Sequence, residues 1–156
     1  SLIIEGQKTR TIKLKDFFIS YKKTSLQKNE FIKEIIIPIH KNSIFKCYKI
    51  SKRFDDDISS VCGSFSFSIK KNKITKVAIA YGGMSEIPKR ASATEKKLIN
   101  SKFSENTFSK AANLINRDFS PIDDMRASRN YRLTIAKNLL LKAFYEIKNK
   151  KTIRIH

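Results

Sequence analysis

The chain has 156 residues, a formal net charge of +19 at pH 7 and 40% hydrophobic residues, among them 11 Phe. That is length for one domain, or one domain with part of another. The apolar content suffices for a core, and the scarcity of Gly and Pro excludes a fibrous or low-complexity chain. The longest apolar run, Ile35-Ile36-Ile37-Pro38-Ile39, is broken by proline and falls short of the roughly 18 residues that a membrane-spanning helix needs.

The first residues, SLIIEGQKTR, lack the basic start, apolar centre and small-residue cleavage site of a signal peptide. Leu2 to Ile4 and Arg10 to Leu14 predict short extended pieces around a turn at Gly6. Leu14 to Phe18 predicts a helical turn, and residues 19–29 a polar loop. Phe31 to Pro38 is rich in β-branched residues and predicts a strand ended by proline. A second extended piece is expected over Phe45 to Ser51.

The stretch Tyr48 to Gly63 then reverses sign, from Lys49, Lys52 and Arg53 to Asp55, Asp56 and Asp57. A mixed-charge loop feeding a strand is a place where sites are built, although the same composition also suits a solvated loop whose acids balance nearby lysines. Phe65, Phe67 and Ile69 alternate with Ser64, Ser66 and Ser68, the two-residue period of a half-buried strand. Lys71-Asn72-Lys73 predicts a hairpin turn without the favoured glycine, and Ile74 to Tyr81 is the partner strand. Gly82-Gly83 suits a sharp turn or close backbone packing.

Beyond Gly83 the period becomes helical. Ser92-Ala93-Thr94-Glu95 matches a capping box and predicts a short helix to about Asn100. Ser104 is the expected cap of a second helix, with Phe108, Ala111, Ala112 and Ile115 on one face. Asp118-Phe119-Ser120-Pro121 breaks it. A long last helix is expected over Ser128 to Lys148, with Tyr131, Ile135, Leu139 and Ala143 in one row. Strands first and helices last predict an α+β fold, an antiparallel sheet of three to four strands packed on about three helices.

Cys47 and Cys62 are too few for a disulfide framework. Their apolar and small neighbours predict buried free thiols, and a cytoplasmic protein is expected. His40 and His156 are far apart, so a zinc or iron–sulfur site made by this chain alone is not expected. The net charge raises the question of nucleic acid, but the lysines are spread along the chain and no recognition motif accompanies them.

Several spaced blocks carry a more specific signal. They are Asp16-Phe17-Phe18 with Tyr21-Lys22-Lys23-Thr24, Glu30 to Pro38, Lys49 to Ile58 and Tyr81-Gly82-Gly83-Met84. Pro88-Lys89-Arg90-Ala91 follows, then Asp124-Met125-Arg126-Ala127-Ser128 with Tyr131-Arg132. In this order they resemble the FAD-binding part of the xanthine dehydrogenase family of molybdenum hydroxylases, with a C-terminal domain of the CO dehydrogenase flavoprotein type.

The resemblance implies a division into residues 1–26 as the tail of an FAD-binding domain, 27–149 as the C-terminal domain, and 150–156 as a frayed tail. It implies FAD shared with a missing FAD-binding half, and iron–sulfur clusters and molybdopterin on partner domains or subunits. It also implies NAD+ as electron acceptor. Ile32 matches an aliphatic residue against the flavin, and Lys49 a lysine that contacts it. Arg53, Asp56 and Asp57 belong to a charged loop near the ring, in which Phe54 stands where a basic residue is common. No catalytic residue and no metal ligand is implied for this chain. A catalytically silent docking domain is the alternative, and a basic nucleic-acid-binding domain a more distant one.

Overall fold

A computed structural model describes residues 1–53 and 56–152. Phe54, Asp55 and the tail residues 153–156 lie outside the described residues. The chain divides into two compact units, Ser1–Lys41 and Asn42–His156.

The first unit is a three-stranded antiparallel sheet in the order β2-β1-β5, formed by Arg10–Ile12, Leu2–Glu5 and Phe31–Ile35. Leu2 and Ile4 on the central strand point inward and bury with Phe17, against Ile12, Phe18 and Leu26. Leu14–Asp16 is a 3-10 turn, as the sequence implies. Residues 19–29 are not wholly loop. Phe18–Ser20 (β3) and Lys23–Thr24 (β4) pair as a short hairpin, turned where Lys22 takes φ 55°. Alternation is too short there to show in the sequence. Because Phe31–Ile35 pairs with β1, it groups with the first unit, whereas the division implied by the resemblance falls at residue 26.

Arg10 fastens this small unit. Its Nε and Nη2 donate to the two carboxylate oxygens of Glu30 at 2.9 and 2.8 Å, and Nη2 also donates to the Ser25 carbonyl at 2.7 Å. The Gln27 amide donates to Glu30 as well. The Arg10 guanidinium, and then this amide, hold the Glu30 carboxyl down at about 2.

The second unit is a four-stranded antiparallel sheet, β6-β7-β8-β9, formed by Ile44–Ile50, Val61–Lys70, Lys73–Gly82 and Lys89–Arg90. The helices are α1 (Ser92–Leu98), α2 (Glu105–Ala112), the single turn α3 (Ile115–Asp118) and α4 (Arg129–Asn149). The α+β order of strands and then helices is therefore the observed one. Val61, Phe65 and Phe67 of β7, with Ile74, Ile79 and Tyr81 of β8, are buried with Leu98, Phe108, Leu140 and Phe144. The alternating serines lie on the opposite, half-buried side of β7. Phe108 and Phe144 are central, their ring centroids 4.9 Å apart.

The β7–β8 turn is Lys71-Asn72, both with positive φ, 46° and 59°, the geometry of a type I′ hairpin. Ser104 caps α2 by accepting from the Thr107 amide, and Ser128 caps α4 by accepting from the Tyr131 amide. The capping box at Ser92 does not form. The buried Asp118 carboxylate instead accepts from the Ala93 and Thr94 amides and from the Thr94 hydroxyl. Glu95 turns to the sheet, accepting from the Ile79 amide and from Arg90. A carboxylate brought by tertiary packing displaces the local serine because it is charged and reaches two free amides together.

Two further expectations fail. Tyr131 is exposed, since α4 buries the row Arg132, Ala136, Leu139, Leu140, Ala143 and Phe144. Nor are both thiols buried: Cys47 is exposed and Cys62 half-buried. In the register Lys49 opposes Cys62 and Cys47 opposes Ser64, so both cysteines fall on the sheet face away from the phenylalanine core.

Candidate functional site

Blocks far apart in the sequence meet at one buried guanidinium. Arg132, on the first turn of α4, is 3% exposed. Its Nη1 donates to the Ser60 carbonyl at 2.6 Å and the Gly83 carbonyl at 2.7 Å, and its Nη2 to Asp124 Oδ1 at 2.6 Å. The charge is thereby paired, and the remaining donors meet carbonyls, as burial of a cation requires.

Asp124 Oδ1 also takes the Arg126 and Ala127 amides. Burial pushes the Asp124 carboxyl up, but these amides and the Arg132 guanidinium outweigh it and hold it below the ordinary range. Arg126 contributes backbone rather than an ion pair: its carbonyl accepts from Ser60 Oγ. Asp123 accepts from the Arg129 amide. Gly83 has φ +78°, and a Cβ there would stand 2.4 Å from the Ser60 carbonyl oxygen. Close packing is thus what this glycine is for.

The hub forms one wall of a cleft of about 480 Å³, lined by Ser51, Lys52, Ser60, the segment 124–128 and Tyr131. Lys52 Nζ donates to the Met125 carbonyl at 2.6 Å. The start of the charged loop is therefore tied to the segment before α4. Sequence patterning does not reveal Arg132 as the organiser. The available signal is its position four residues before Ala136 and eight after Asp124, on the row that α4 buries.

The residues singled out in the loop are placed as follows. Asp57 accepts from the Arg53 and Ile58 amides. The Arg53 amide is the main cause that holds the Asp57 carboxyl below its usual value. The Arg53 guanidinium lies 3.7 Å from Asp57 and donates to the Asp56 carbonyl. Asp56 has φ 48°. Arg53, Asp56 and Asp57 thus close the loop on itself.

Lys49 differs. It is exposed on β6, on the face away from the helices, and makes no ion pair among the described residues. Lys46, on the same strand, is taken up by the buried Glu146, which also accepts from Tyr48. Burial, and then the Glu146 hydrogen bond, push the Tyr48 phenol up. Ile32, in the first unit, is 39% exposed on β5 opposite the buried Ile4. Each within its own unit, Ile32 is an exposed aliphatic side chain and Lys49 an exposed ammonium. Among the described residues no group of three or more His, Cys, Asp or Glu could hold a metal ion.

The CO dehydrogenase flavoprotein C-terminal domain family matches residues 46–147. The chain belongs to this family. The flavoprotein C-terminal domain accounts for most of the second unit, including Lys49, the charged loop and the Arg132 hub. Among curated proteins, glyceraldehyde dehydrogenase medium chain of Sulfolobus acidocaldarius is 30% identical over 139 residues, covering 89% of this chain and 49% of that protein. Xanthine dehydrogenase of Oryza sativa subsp. japonica is 28% identical over 151 residues, covering 93% of this chain and 11% of that one. The chain therefore spans half or less of these relatives.

Quinoline 2-oxidoreductase from Pseudomonas putida 86 has the same fold, with a TM-score of 0.84 and 22% identity over 96% of this chain and 52% of that one. Carbon monoxide dehydrogenase from Hydrogenophaga pseudoflava gives 0.82 and 20% over 90% and 49%. Among the described residues no helix is long and apolar enough to cross a membrane.

Proposed function

We propose that this flavoprotein C-terminal domain belongs to the FAD-carrying part of a molybdenum hydroxylase, of the xanthine dehydrogenase type, and supplies one wall of its flavin site. The family supports the flavoprotein setting. The observation that carries the reading is Lys49, an exposed ammonium that stays uncommitted while Lys46 on the same strand is paired with Glu146. Bound FAD would take electrons from iron–sulfur clusters on a partner domain and pass a hydride to NAD+.

Each side chain has a definite part. Lys49 favours negative charge on the ring, and Ile32 covers an apolar ring face. The loop closed by the Arg53–Asp57 contact would bring a net negative charge beside the ring. The Arg132 hub holds the chain just after that loop, through Ser60, and the segment before α4, to which Lys52 ties the loop's start. The partners would be the FAD-binding half, an iron–sulfur domain and a molybdopterin subunit.

The test is Lys49→Ala in the complete assembly, read by FAD content and by the flavin's reduction potential. The expected result is about tenfold weaker FAD retention, the worth of one charge-assisted hydrogen bond, or a lowered potential. Unchanged content together with an unchanged potential overturns the reading.

A further inference from the structure

The face of the four-stranded sheet away from the helices carries both of the chain's cysteines. The register pairs Cys47 with Ser64 and Lys49 with Cys62, which makes the thiols diagonal neighbours on adjacent strands. Cys47 Sγ lies 3.3 Å from Ser64 Oγ, the hydroxyl opposite it on β7. One thiol is exposed and the other half-buried. Burial, and then the neighbouring thiol, push the Cys62 thiol up, while the Lys49 charge opposes this. Neither cysteine takes part in the Arg132 hub. Strand β6 is the edge strand of its sheet, with β7 as its one strand neighbour among the described residues.

We propose that Cys47 and Cys62 form a redox-active pair, closed into an intrachain disulfide by a peroxide. In the first step a thiolate attacks a peroxide oxygen. An S–O bond forms and the O–O bond breaks. The departing hydroxide takes the proton that the thiol gave up and leaves as water, and the product is a sulfenic acid. The second thiol then attacks that sulfur. The S–S bond forms, the S–O bond breaks and the hydroxyl leaves with the second thiol's proton as water. Two thiols are oxidised by two electrons in all, and one hydrogen peroxide is reduced to two waters.

Diagonal neighbours have Cα atoms roughly 7–8 Å apart, just beyond an unstrained bridge. Closure therefore draws the edge strand along the diagonal, and the strained bond reopens readily under a thiol reductant. It also shifts Lys49, which opposes Cys62. A consequence for the flavin rests on the function proposed above; the disulfide itself does not.

The test treats the full 156-residue chain, under native conditions, with hydrogen peroxide. The expected result is loss of two hydrogen masses, with neither thiol open to alkylation. One linked peptide should join the Cys47 and Cys62 segments, and reduced glutathione should restore both thiols. Cys62→Ser should abolish the linked peptide and leave Cys47 as a sulfenic acid that a dimedone probe captures. The proposal is overturned if both thiols still alkylate, if each oxidises separately to a sulfinic acid, or if bridges form only between chains. Because this readout needs no flavin, Lys49→Ala and peroxide treatment can fail independently of one another.

Discussion

Arg132 shows how one side chain can hold together segments that no local pattern connects. Replacing it with Met keeps the stem and removes the guanidinium. Asp124 then keeps only its two amide donors, and the carbonyls of Ser60 and Gly83 lose the guanidinium. Removing one partner of a buried pair costs about 3–5 kcal/mol, and Arg132→Met should lower unfolding free energy in urea by that amount. The two glycines nearby give a sharper contrast. A Cβ on Gly82 would meet only Cys62 Cβ at 3.8 Å, an ordinary contact, whereas Gly83 has positive φ and a backbone oxygen 2.4 Å away. Gly83→Ala should cost about 2–4 kcal/mol, and Gly82→Ala well under 1, when both are measured by denaturant unfolding.

Two elements are governed by different kinds of information. The β7–β8 hairpin is set locally, yet Lys71 occupies a left-handed position that suits Asn or Gly better. Lys71→Asn should raise stability by about 0.5–1 kcal/mol, seen as a higher thermal midpoint, because the strain at that residue is relieved. Helix α1 is set from a distance, since its first amides are held by Asp118. Asp118→Ala removes the cap and leaves the Thr94 hydroxyl without its partner. A loss of about 1–3 kcal/mol should follow, with faster amide exchange confined to the first turn of α1. Ser92→Ala should have almost no effect, and that pair of results separates the distant cap from the capping box.

On the scale of the whole molecule, the two units differ in what stabilises them. The second has a contiguous aromatic core. The first buries Leu2, Ile4 and Phe17 and leans on the Arg10–Glu30 pair. The Glu30 carboxyl is depressed in the folded state to about 2 from 4.5. Its contribution is therefore complete above about pH 4.5 and is lost as the pH falls towards 2, because the unfolded chain binds the proton first. Amide exchange should show the first unit opening across that window before the second does. Glu30→Gln should weaken the first unit at neutral pH and flatten its acid dependence.

The sequence by itself determined the elements whose residues see mainly their neighbours in the chain. The serine–phenylalanine alternation of β7, the long last helix and the α+β order follow from periods of two and of about 3.6 residues, and the cap at Ser104 from a serine placed just before such a period. Such periods are written locally. Only the tertiary structure decided which polar groups meet. Asp118 displaced Ser92, Arg132 gathered Ser60, Gly83 and Asp124, and strand register set Cys47 beside Cys62. These pairings join residues from 8 to 72 positions apart, and charge and hydrogen bonding act through space, so periodicity along the chain cannot encode them. Lys46 and Lys49 make the point within one strand: the same residue type on opposite faces of the sheet is a half-buried cation paired with Glu146 in one case and an exposed, uncommitted cation in the other.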